Sequence, residues 1–137
     1  NLGSIFEAFS NYSFNLNPHL KHHFLYRPDL AEPYFILWRL THEPKYRDYA
    51  WELALAIGKH CRAVSDGYCN LHDANAIPAD KNDEQPVRFL SGTLKYLYLI
   101  FSDDTELPLD QWIFNGDGHP LPICGKHAMY PTCSQKL

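Results

Sequence analysis

TLKYLYLIFSDDTELPLDQWIFNGDGHPLPI, residues 93–123, passes from an apolar helix through an acidic loop into a short extended segment. The segment breaks at Asn115-Gly116-Asp117-Gly118 before the rigid His119-Pro120-Leu121-Pro122. Glycines there open backbone shapes closed to other residues, and they bring a carboxylate and an imidazole close together. Such a tip is either a surface hairpin or the floor of a site. The helix leading to it, residues 87–101, is apolar nearly all round: Leu90, Leu94, Leu97 and Phe101 mark one side, and Phe89, Tyr96 and Ile100 fall elsewhere. A helix of that kind is buried on most faces. Three helices and a ribbon cannot cover it, so partner surface is expected from outside these residues.

Upstream, Pro28 suits a first helical turn, and Leu30, Tyr34, Leu37, Trp38 and Leu40 follow at mostly helical spacing as far as Thr41. Pro33 is awkward in a helix that begins at Pro28, because it lacks an N–H and its ring crowds the carbonyl of Asp29. Either the first turn is distorted or the helix proper begins near Glu32. A break at His42-Glu43-Pro44 opens a second helix, whose stripe is Tyr46, Ala50, Leu53, Ile57 and Cys61, and the two make an αα-hairpin. Residues 67–82, rich in Asp, Asn and Pro, read as loop.

The 137 residues suffice for one domain, with 45% hydrophobic, 15% aromatic and 20% charged residues and a net charge of −4. Nothing is basic enough to suggest nucleic acid. No apolar run reaches the ~18 residues needed to span a bilayer. Beginning at Asn1, with its only methionine at Met129, the chain reads as a processed product or a fragment. Cys61, Cys69, Cys124 and Cys133 form an even set, and Asn11-Tyr12-Ser13 is an N-glycosylation sequon. Together they favour a secreted protein or one in the lumen of the secretory pathway. The spacings suggest local bridges, Cys61 to Cys69 and Cys124 to Cys133, although four cysteines allow three connectivities. Zinc wants paired Cys-x-x-Cys or histidine spacing that is missing here. The histidines at 19, 22 and 23 sit in a polar stretch without a carboxylate at ligand spacing and read as solvated.

Three stretches resemble one family: YRPDLAEPYFILWRLTHEPKYRDYAWELALAIGKHC (26–61), TLKYLYLIFSDD (93–104) and LPLDQWIFNGDGHPLPI (107–123). They are similar to the last hairpins of the class I α-1,2-mannosidases, glycoside hydrolase family 47, and most similar to animal Golgi-type members. The resemblance implies an all-α fold: the C-terminal hairpins of an (α/α)7 barrel plus a short β-ribbon, incomplete without an N-terminal chain. It divides the sequence into a lead-in segment (1–26), the helical hairpins (27–123) and a C-terminal tail (124–137). It also implies inverting hydrolysis by two opposed carboxyl groups, one protonating the leaving oxygen and one activating water. A calcium ion is implied at the barrel floor, held directly by the hydroxyl and carbonyl of the threonine in a Thr-Glu-Ala-His-Pro motif.

This chain departs from the family pattern where that chemistry would lie. Arg-Pro-Glu, whose glutamate is a candidate base, reads Arg27-Pro28-Asp29, which leaves the carboxylate one methylene short. An error on the order of an ångström can cost about a hundredfold. The serine after the next glutamate, matched by Glu32, is Pro33. Family polar residues before Thr93 are replaced in Pro86-Val87-Arg88 and Ser91-Gly92. Thr-Glu-Ala becomes Gly116-Asp117-Gly118, which keeps a carbonyl, loses the hydroxyl and shortens the carboxylate.

On this reading Asp29 holds the altered base position, and Arg27, Glu32, Asp117 and His119 are substrate-binding candidates. Gly116 is the weakened calcium ligand. Two functions fit. One is a mannosidase-like protein, weakly active or inactive, that binds a mannose-containing glycan or a protein, or serves as a structural component, with the N-terminal chain of its precursor still attached. The alternative is an active calcium-dependent enzyme trimming high-mannose N-glycans, with Asp29 as base and Asp117 holding a water of the calcium site.

Overall fold

The computed structural model describes residues 30–64, 66–71, 81–82 and 84–132. It is mostly helical, with two small antiparallel ribbons. The first helix, α1, spans Ala31–Thr41. It therefore starts after Pro28, and Pro33 falls at the third helical position. The N–H that proline lacks there is one of the four at a helix start with no intrahelical acceptor, so Pro33 costs α1 no hydrogen bond. Its other end is sharp: His42 turns left-handed at φ 52° and its N–H closes on the Trp38 carbonyl at 2.8 Å. Two residues later Pro44 occupies the start of α2, Pro44–His60, where its fixed φ suits the first turn. The αα-hairpin and its break thus fall where the sequence places them.

Strand β1 (Asn70–Leu71) pairs with β2 (Lys81–Asn82), with Asn70 opposite Asn82, and Arg62 bridges Tyr68 just before them. The region read as plain loop therefore carries a small ribbon, and it delivers Leu71 to the core. The next helix differs from expectation in its winding. Residues 87–88 are α-helical, Phe89–Leu94 form a π-helical segment, and only then does α3, Lys95–Phe101, begin. Strand β3 (Trp112–Phe114) runs antiparallel to β4 (Pro120–Pro122), with Trp112 opposite Pro122 and Phe114 opposite Pro120.

Phe35, Tyr96 and Ile100 are fully buried, and burial of the Phe35 and Ile100 side chains contributes about 1.5–3 kcal/mol each. An aromatic triangle ties three elements together: Phe35 of α1 lies 5.6 Å from Tyr96 of α3 and 5.7 Å from Phe114 of β3, and Tyr96 and Phe114 are 5.4 Å apart. Arg39 fixes the far end of α3. Its guanidinium donates to the carbonyls of Leu99, Asp103, Asp104 and Glu106, with the side chain only 4% exposed. From α2, Arg47 stacks 4.0 Å from the centre of the Trp38 ring and donates to the Ile100 carbonyl. The other faces are less covered: Val87, Leu90, Tyr98 and Phe101 on the third helix and Trp51 and Leu55 on α2 are exposed.

The cysteines divide. Cys61 and Cys69 are buried free thiols, which corrects the bridge expected between them. The Cys69 N–H donates to the Cys61 carbonyl at 2.7 Å, and its sulfur lies 3.3 Å from the same oxygen. The Cys69 thiol is thus within hydrogen-bond reach of the Cys61 carbonyl. Cys124 is disulfide-bonded, and Cys133, its expected partner, lies outside the described residues.

Candidate functional site

The tip between β3 and β4 is built around Asn115. Its side-chain oxygen accepts the N–H groups of Asp117 at 3.0 Å and His119 at 2.9 Å, and its carbonyl accepts from Gly118 at 2.8 Å. An asparagine organising its own turn in this way leaves Gly118 at φ 75°, where a side chain would be strained. Gly118 is also a contact point. A Cβ there would stand 2.5 Å from the Ser91 carbonyl oxygen and 3.5 Å from the Gly92 Cα. The tip therefore lies directly against the π-helical segment, and glycines on both sides allow the approach. This hairpin is docked on the helix rather than free at the surface.

Two basic side chains hold it down. Arg88 donates from Nη2 to the Gly116 carbonyl at 3.2 Å and to Asp117 Oδ1 at 3.0 Å. Lys95 donates to the Gly118 carbonyl at 2.5 Å, and burial lowers its pKa from the ordinary lysine value. The Arg88–Asp117 pair is about half exposed, so its strength is that of a surface ion pair, about 0.2–1 kcal/mol. Sequence reading missed both clamps. The available signal was their spacing, since positions 88 and 95 lie two helical turns apart and face a turn rich in carbonyls and carboxylate.

Of the residues singled out from the sequence, Gly116, Asp117 and His119 are brought together in the tip. The His119 ring is exposed, its Nδ1 3.4 Å from the Asn115 side-chain nitrogen. Glu32 lies in the first turn of α1, where a carboxylate is favoured by the helix dipole, and it faces Tyr96. Burial, with the Glu32 carboxylate second, pushes the Tyr96 hydroxyl well above its usual range. Asn11, Arg27, Asp29, Cys133 and the histidines at 19, 22 and 23 lie outside the described residues.

The oxygens of the tip suit calcium poorly. Calcium takes six to eight oxygen ligands. Gly116 brings no hydroxyl, and its carbonyl and the Asp117 carboxylate already share one guanidinium nitrogen. Among the described residues no group of three or more His, Cys, Asp or Glu side chains is placed to hold a metal.

Comparison with known proteins bears on the family resemblance directly. Residues 7–123 match the model of glycosyl hydrolase family 47, and the chain belongs to that family. It is 54% identical over 108 residues to "Mannosyl-oligosaccharide alpha-1,2-mannosidase IA" of Drosophila melanogaster, covering 79% of this chain. It is 50% identical to "Mannosyl-oligosaccharide 1,2-alpha-mannosidase IA" of Sus scrofa over 77% of this chain, and 48% identical to "Mannosyl-oligosaccharide 1,2-alpha-mannosidase IB" of Homo sapiens over 74%. The matched part spans about 16% of the length of each of these relatives.

Proposed function

We propose that the protein carrying this chain is a mannosidase-like member of its family with weak or no hydrolase activity, retained to bind a mannose-containing glycan or a protein. The observation that carries this reading is the Arg88 clamp, which engages the Gly116 carbonyl and one oxygen of the Asp117 carboxylate, both of which the tip would otherwise offer to a cation. The shortened carboxylate at Asp29 and the glycine at 116 point the same way. The named relatives are α-1,2-mannosidases, so the ligand class that fits is an α-1,2-linked mannose glycan.

In this proposal the described hairpins are the last part of an (α/α)7 barrel, closed by an N-terminal chain of the same precursor. The exposed Leu90, Tyr98, Phe101 and Trp51 support that arrangement, because apolar side chains on helices of a barrel are covered by neighbouring hairpins. The sequon at Asn11 and the disulfide at Cys124 support a secreted or lumenal location. Among the described residues no helix is long and apolar enough to cross a membrane. A native, unreduced mass equal to this chain alone would contradict the retained N-terminal chain.

The test of function is mannose release from a high-mannose N-glycan by the complete protein, with and without a calcium chelator, beside an active relative as control. No release is expected. Release abolished by the chelator would establish the calcium-dependent enzyme instead, and Asp29→Asn would then have to stop turnover if Asp29 is the base.

A further inference from the structure

We infer that Arg88 is the resident cation of the tip, standing in place of the calcium ion that the family resemblance implies there. The inference concerns the metal alone; it rests on membership of the family and not on whether hydrolysis survives.

Three consecutive residues of the tip, Gly116, Asp117 and Gly118, present carbonyl and carboxylate oxygens toward the helix that carries Arg88 and Lys95. Each is matched to a positive side chain: Gly116 and Asp117 to Arg88 at 3.2 and 3.0 Å, and Gly118 to Lys95 at 2.5 Å. A calcium ion bound to the Gly116 carbonyl and Asp117 Oδ1 would need both oxygens within about 2.3–2.6 Å. Arg88 Nη2 already donates to both atoms, so an ion using the same lone pairs would have to displace the guanidinium and then lie beside its positive charge. The guanidinium also needs no hydroxyl ligand, since its N–H groups are donors and the tip supplies acceptors.

The two departures from the family pattern are thereby linked. Glycine at 116 offers a metal no hydroxyl, and arginine at 88 supplies a permanent charge to the oxygens that are left. Asp117 balances that charge as an ion pair. Lys95 holds the Gly118 carbonyl on the other side of the turn, so the tip stays docked on Ser91 and Gly92 without a metal.

Hydrogen–deuterium exchange of the complete protein, followed on the peptide covering residues 115–119 in calcium chloride and in chelator, tests this. The amides of Asp117, Gly118 and His119 all donate within the turn, so they report its integrity. Exchange in the unsubstituted protein is expected to be the same with calcium and with chelator. Arg88→Gln is expected to speed exchange about two- to fivefold in both media, the size of an exposed ion pair, and Arg88→Lys is expected to fall between. Faster exchange of the unsubstituted protein in chelator would overturn the inference, as would an Arg88→Gln variant that exchanges like the parent. If Arg88→Gln fails to fold, the chelator comparison on the parent decides alone. Mannose release without calcium would refute the loss of activity proposed above and leave Arg88 in its role.

Discussion

Replacing Arg39 by alanine is expected to destabilise the protein by about 2–4 kcal/mol. Arg39 donates to four main-chain carbonyls around the end of α3, yet these are not equivalent. The Leu99 carbonyl is partly buried, and losing a charge-assisted bond to it costs about 1.5–3 kcal/mol. Those of Asp103, Asp104 and Glu106 are exposed, so water replaces the guanidinium there and each adds only a few tenths to about 0.5 kcal/mol. Relief of the arginine's own desolvation, which already depresses its pKa, offsets part of the sum. Arg39→Lys keeps the charge but presents one point donor in place of a planar fork, and is expected to recover about half the loss. Asp104→Asn tests the ion pair separately. Its carboxylate is half exposed at 3.3 Å from Arg39 Nε, and its carbonyl would still accept, so the cost is at most about 1 kcal/mol. Urea unfolding of the complete protein, followed by tryptophan fluorescence, measures all three variants. An Arg39→Ala loss below about 1 kcal/mol, or an Asp104→Asn loss equal to it, would refute the reasoning that backbone capping dominates.

The glycines of the tip should respond differently to alanine. Gly118→Ala is expected to cost about 2–4 kcal/mol, from the left-handed backbone together with the clash at the Ser91 carbonyl, while Gly116→Ala meets nothing within 4 Å and should stay within about 0.5 kcal/mol. Equal melting temperatures for the two variants would mean the tip is not docked as described. Burial, with Cys69 second, pushes the Cys61 thiol from 9.0 up to about 11, so it should resist iodoacetamide at pH 8 until the protein is denatured, and mass spectrometry of the labelled peptides reads this. Because the folded state binds that proton more tightly, the stabilisation it gives is complete below pH 9 and is lost as pH rises toward 11. A Cys61–Cys69 disulfide in native material would contradict both statements.

Much of the frame could be read along the chain. Pro44 marks the break between the helices because a proline acts within a turn of itself, and of the stripe Tyr46, Ala50, Leu53, Ile57 and Cys61 all but the half-buried Tyr46 are buried as its period requires. The hairpin around Gly116 and Gly118 was likewise legible, since its Asx turn closes within five residues. The ribbon at Asn70–Leu71 was not, because two-residue strands carry no periodicity. Nor was the π-helical segment: an apolar run reads the same at either winding, and the segment is seen only where Gly118 packs on Ser91 and Gly92.

Sequence alone determined the family, the order of the helices and the glycine at 116, because each lies in local residue identity. Tertiary structure decided which side chains meet that glycine's turn. Arg88 and Asp117 are 29 residues apart, and only the packing of β3 and β4 against the third helix brings that guanidinium to that carboxylate. Packing likewise turned the Cys69 sulfur toward the Cys61 carbonyl, where spacing along the chain had suggested a bridge. Pairings of charge and of sulfur depend on distances of a few ångströms across the fold, and those are set by how buried aromatic side chains such as Phe35, Tyr96 and Phe114 fill the core.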